Sequence, residues 1–148
     1  MRHRHFLDNF VLFLALVVLC ESSFAAGCPE KTAFEAEARA DGIESIEQAR
    51  IYFHAYRRCL DGPIAYGFIN RLAELASRAE GIDELWNNVK SDSAFRAAVL
   101  KYLPSEAVPL DLNNQVLRNL EARCPREARS FCAHLTKQIR KVCTECKP

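Results

Sequence analysis

The residues best equipped for chemistry in this chain are its cysteines. Seven are present; Cys20 lies in an apolar N-terminal run, and the other six are Cys28, Cys59, Cys124, Cys132, Cys143 and Cys146. An even set in a chain of 148 residues is the pattern of three disulfides formed in an oxidising compartment. Two sharper chemistries compete with that reading. Cys143-Thr144-Glu145-Cys146 is a CxxC pair, but a redox-active pair gains its low thiol pKa at a helix N-terminus. This one follows the last predicted helix, where the dipole has the opposite sign. Cys132, His134, Cys143 and Cys146 offer zinc-type donors. Positions two apart on a helix point to nearly opposite sides, however, and oxidation competes with metal binding. No metal or cofactor site is assigned.

The pairing of the six is constrained by the final helix. Cys132 and Cys143 sit three turns apart, about 16 Å along its axis, and cannot bond to one another while it stays helical. Fifteen connectivities exist in principle for six cysteines. The preferred one ties Cys59 to Cys124 or Cys132 and pins Cys28 to Cys143 or Cys146.

Other catalytic constellations are not visible. His54 falls among Glu47, Arg50, Arg57 and Arg58, and His134 among Glu127, Lys137, Gln138 and Lys141; both sets are polar helix faces rather than acid–base sites. There is no GxSxG, HExxH, phosphate-cradling glycine loop or EF-hand loop. Acidic neighbours such as Glu35 with Glu37, or Asp83 with Glu84, do not converge on one atom from a helix. No catalytic residue is assigned, and a hydrolase would have to assemble its site from scattered positions.

Charge is more informative. The totals balance, 20 Lys+Arg against 19 Asp+Glu, which excludes a strongly basic nucleic-acid binder and an acidic disordered chain. The distribution is uneven. Residues 26–117 carry 10 basic and 14 acidic side chains, residues 118–148 carry eight and three, and Cys28–Glu47 alone holds six carboxylates and two cations. Either the two ends pack together and neutralise one another, as a bridge from Cys28 would enforce, or the surface is bipolar and steers docking onto a charged partner.

These side chains must be positioned by helices, since apolar residues recur at helical spacing and no stretch alternates as a strand. A short acidic helix is predicted from Thr32 to about Ala40. A second is capped by Ser45 with Gln48 in capping-box spacing and buries Ile46, Ala49, Phe53, Tyr56 and Leu60. Asp61-Gly62-Pro63 closes it and opens a third with Ile64, Phe68, Leu72, Leu75 and Ala79 inward. Shorter helices carry Ile82, Leu85, Trp86 and Val89; then Phe95, Val99 and Leu103; then Leu112, Val116 and Leu120. The last presents Ala128, Phe131, Leu135, Ile139 and Val142. The expectation is an all-α, disulfide-stabilised single compact domain of six or seven short helices over residues 26–148.

Residues 1–25 read as a cleavable signal peptide. A basic start, Met1 to His5, precedes the apolar run Phe10–Cys20, and Ser23-x-Ala25 satisfies the small-x-small rule for cleavage after Ala25. At about 16 Å as a helix, that run is too short for a bilayer core of about 30 Å, so no membrane span is expected after cleavage. Ala25-Ala26-Gly27-Cys28 loosely matches a lipobox, making a lipoprotein anchored through Cys28 the lesser alternative; lipidation there would strand an odd thiol.

The most distinctive stretch is Asp61-Gly62-Pro63-Ile64-Ala65-Tyr66-Gly67-Phe68, in which Gly67 costs about 1 kcal/mol against alanine and calls for a packing reason. With Cys59 before it, and with Arg123-Cys124-Pro125, Ala128 and Cys132 later, the chain resembles a group of small exported bacterial all-α proteins. In these a cysteine precedes a D-G-x-I-A-x-G-F helix start and an R-C-P-x-x-A-x-x-x-C element follows near the C-terminus. The resemblance implies a fold and a compartment, not a reaction. Periplasmic immunity proteins share the broader architecture of small exported disulfide-bonded helices.

The functional expectation is a periplasmic or secreted bacterial protein, non-enzymatic, that binds another protein, an inhibitor or immunity-type factor being one such role. Its expected partner surface comprises Asp61, Tyr66, Arg126, Arg129, Lys137, Arg140 and Lys141. The alternative is a carrier of a small apolar ligand, which requires an internal cavity lined by the aromatic residues. Nucleic acid is not an expected partner, because basic runs interleaved with aromatics are missing.

Overall fold

Seven α-helices are laid down in chain order in a computed structural model that describes residues 27–146. They are α1 (Glu30–Ala40), α2 (Ile46–Tyr56), α3 (Gly62–Ser77), α4 (Gly81–Val89), α5 (Ser93–Tyr102), α6 (Leu110–Ala122) and α7 (Arg129–Val142), with a 3-10 turn at Arg126–Ala128. The predicted signal peptide and its cleavage point lie outside the described residues. Among the described residues there is no strand, and no helix is long and apolar enough to cross a membrane.

Local chemistry explains the helix starts. Ser45 Oγ accepts from the Gln48 N–H at 3.2 Å, while Gln48 Oε1 accepts from the Glu44 N–H at 2.7 Å. The capping box therefore forms with its return bond shifted one residue upstream. Asp61 accepts from Gly62 N–H at 2.8 Å, and Gly62 takes φ +48°, a left-handed value that an L side chain rarely adopts. Pro63 then occupies the first turn of α3, where its missing N–H costs nothing. Asp92 Oδ1 accepts from Phe95 N–H at 2.9 Å and caps α5.

The helix α3 is central, packed against α1, α2, α4 and α6. Phe68 and Leu72 on it are fully buried and Leu75 nearly so; Ala79 lies beyond the helix end and is exposed. Every residue of the predicted α2 stripe is buried, as are those of α5. The expected packing reason for Gly67 is present: a Cβ there would stand 3.1 Å from the Ala40 Cβ, so α1 lies close against α3. One polar residue organises the far side. Asn119 on α6 is buried, and its Nδ2 faces the carbonyls of Ala76, Ser77 and Arg78 at 3.3, 2.8 and 2.9 Å. It satisfies the exposed C-terminal carbonyls of α3 that no intrahelical N–H can reach.

The disulfides are Cys28–Cys59, Cys124–Cys132 and Cys143–Cys146, which corrects the preferred pairing. The helices α1 and α2 are both 11 residues long and form a hairpin. The residue two before α1 therefore falls beside the turn that follows α2, with Cα atoms 4.7 Å apart. That leaves Cys59 out of reach of the C-terminal cysteines. Cys124 meets Cys132 because the chain reverses through Pro125 and the 3-10 turn into the first turn of α7. Cys143 leaves the helix with ψ 86°, which lets the following turn bring Cys146 back to it. The Cys28 sulfur is thus engaged in a disulfide and not in a lipid thioether. The expected neutralisation of the two termini is also corrected: α1 packs chiefly on α3 and α2, and α7 on α6 and the 3-10 turn. Three disulfides mark a protein of an oxidising environment.

Candidate functional site

The helices α6 and α7 meet along one face only, because the α7 stripe Phe131, Cys132, Leu135 and Ile139 turns inward and leaves the other flank to solvent. Between them runs an open groove of about 540 Å³. Leu120, Ala133 and the Cys124–Cys132 disulfide line it, and Arg129, Lys137 and Arg140 stand along it. These three cations recur at positions 129, 137 and 140 on the same side of the helix. Arg140 Nη2 pairs with Glu121 Oε1 across the groove at 2.5 Å. Arg126, Arg129, Lys137 and Lys141 make no ion pair with the described residues.

The other residues expected on this surface lie elsewhere. Arg126 is exposed in the 3-10 turn, and Lys141 follows Lys137 by one turn of α7 but does not line the groove. Tyr66, 55% exposed, comes beside Val142 at the far end of α7, in a shallow cleft floored by Pro104 and Ala107. Asp61 is committed to the start of α3. The expected surface is thus two separate places, a basic groove and an aromatic corner.

One cluster escaped the sequence reading. His54 Nε2 lies 2.6 Å from Asp92 Oδ2, with Arg50 Nη1 at 3.7 Å from the same oxygen. Arg50 Nε also donates to Asn88 Oδ1 at 3.3 Å. The Phe95 N–H first, and then the His54 side chain, hold the Asp92 carboxyl below its ordinary range; the Arg50 charge adds to this. A carboxylate stabilised in its ionised form and spent on capping α5 is a tie between α2 and α5, not a poised general acid. The signal available in sequence was weak: an N-cap aspartate and a histidine 38 positions apart share no motif.

Several of the aromatic residues offered for a carrier cavity pack on one another, and Phe53 and Tyr102 also line an open cleft of about 490 Å³. Tyr52 stacks on Phe68 at 5.7 Å, Phe68 meets Tyr102 edge-on at 6.0 Å, and Phe53 lies 5.9 Å from Phe95. Tyr52 donates to the Ala36 carbonyl at 2.9 Å, and burial, aided by Tyr56, pushes its hydroxyl up to about 12. Two of the four candidate zinc donors, Cys143 and Cys146, are bonded to each other, and Cys132 to Cys124. Among the described residues no three metal-ligating side chains converge. Comparison with protein-family models, with curated proteins and with solved structures finds no match to this chain.

Proposed function

We propose that this chain is an exported, non-enzymatic helical protein of the bacterial periplasm or secreted medium that binds an acidic protein surface through the α6–α7 groove, as an inhibitor or immunity-type factor does. The observation that carries the proposal is the groove itself, apolar along its base and bordered by Arg129 and Lys137, two cations with no ion-pair partner among the described residues. Unneutralised cations beside apolar surface attract a partner by charge and hold it by burial. The resemblance to small exported helical proteins, on the elements around Cys59–Phe68 and Arg123–Cys132, belongs to the same proposal. Interlocked aromatics favour this reading over a small-ligand carrier, since Phe68 and Phe95 are fully buried against their neighbours.

The test is capture of periplasmic and secreted proteins on the oxidised chain, eluted in steps of salt, beside an Arg129→Glu/Lys137→Glu variant. One stoichiometric partner that leaves at moderate salt and is absent from the variant is the expected result. Equal capture by both proteins, or a co-purifying small molecule with no protein partner, overturns the proposal.

A further inference from the structure

The groove calls for an apolar side chain flanked by carboxylates, and the chain carries such a set on its own surface. On α1, Ala36 and Ala40 face the core, while Glu30, Phe34, Glu37 and Asp41 recur at spacings of four, three and four and form one outward stripe. Phe34 is 65% exposed, the most exposed of the large apolar side chains among the described residues. Its three acidic neighbours are exposed and have no ion-pair partner among the described residues. From Glu30 to Asp41 is eleven positions, as from Arg129 to Arg140, each about 16 Å of helix.

We propose that a second copy of this chain seats Phe34 in the α6–α7 groove, with Glu30, Glu37 and Asp41 facing Arg129, Lys137 and Arg140. The inference rests on the reading of the groove as a protein-binding site and names an occupant for it. Charge complementarity selects the occupant. The acidic stripe and the basic groove belong to one polypeptide, and they are held apart because α1 packs on α2 and α3 while α7 packs on α6. They can meet only between copies. The Cys28–Cys59 disulfide ties down the start of α1, so the stripe is presented in a fixed shape and little conformational freedom is lost on docking. The two patches differ, so the contact is head-to-tail and builds open chains or a closed ring.

Sedimentation velocity on the oxidised chain, over a range of concentration, tests this with two variants of exposed residues, Phe34→Asp and Arg129→Glu/Lys137→Glu. The expected result is a mass that rises with concentration at about 0.05 M salt and falls to the monomer near about 0.5 M. Each variant alone is monomeric with an unchanged circular dichroism spectrum. An equimolar mixture forms a heterodimer, because one variant keeps the groove and the other keeps Phe34. A wild-type chain that stays monomeric, variants that still associate, or a mixture that does not pair overturns the proposal. If the wild type is monomeric yet captures a foreign partner that the groove variant loses, self-docking fails while the groove reading stands.

Discussion

The two ends of this molecule are secured by different means. At the N-terminal end a disulfide closes a separation of 31 residues and fastens the segment before α1 to the turn after α2, in a hairpin already packed on the central helix α3. At the C-terminal end the two disulfides close separations of eight and three. They shape the entry to α7 and the turn beyond it, and neither bonds α7 to another helix. What holds α7 is its apolar stripe, together with contacts such as that of Phe131 with Trp86 at 5.9 Å. The first helix thus has covalent closure added to its packing, whereas packing alone fastens the last helix to its neighbours.

Core truncation should cost at least as much as any disulfide. Phe68 is fully buried and touches aromatic rings on α2 and α5, so Phe68→Ala should lower stability by about 3–5 kcal/mol, measured by urea unfolding of the oxidised chain. A loss below about 1 kcal/mol would show that the centre is loosely packed.

The disulfides should then rank by the chain they close. Loop entropy gives about 3–4 kcal/mol for Cys28–Cys59, about 2–3 for Cys124–Cys132 and under about 2 for Cys143–Cys146. Paired Cys→Ser variants, each unfolded in urea, test the order. Equal losses at all three would break the contrast between the ends, since closure would then not be the governing effect.

Much of this frame is legible in the sequence, and the reasons for the misses are physical. The stripes on α2 and α5, the cap at Ser45, the Asp61-Gly62-Pro63 corner and the tight approach at Gly67 all follow from local spacing, because a helix sets its own periodicity. The disulfide partners do not. They depend on the equal lengths of α1 and α2 and on the reversal at Pro125, which are properties of how helices are arranged. The expected partner surface divides for the same reason: Arg129, Lys137 and Arg140 share one helix flank, whereas Asp61 and Tyr66 were joined to them by charge and position in the chain alone. Asn119 was silent because its role lies in the carbonyls of another helix 41 to 43 positions away.

That residue sharpens the comparison at the junction of the two regions. Asn119→Ala removes the donor shared by the carbonyls of Ala76, Ser77 and Arg78 at the end of α3, and leaves a small void between α3 and α6. A loss of about 1–3 kcal/mol is expected, together with faster amide exchange at the end of α3. Unchanged exchange there would mean that water satisfies these carbonyls, and the two halves would then be joined by apolar contact alone.

The smallest effect is electrostatic and isolates the tie between α2 and α5. Asp92→Ala removes the cap of α5 and should cost about 1 kcal/mol. Asp92→Asn keeps a capping oxygen but removes the charge that His54 and Arg50 face. The folded-state pKa of Asp92 lies below its ordinary 3.8, so the ionised form is favoured by folding. The stability it contributes is fully present above that ordinary value and is lost as pH falls through the lowered one. The gap between wild type and Asp92→Asn should therefore be present at about pH 5 and close progressively below about pH 4. A gap that holds unchanged at still lower pH would assign the tie to cap geometry. The contrast between the two ends would then owe nothing to charge at this joint.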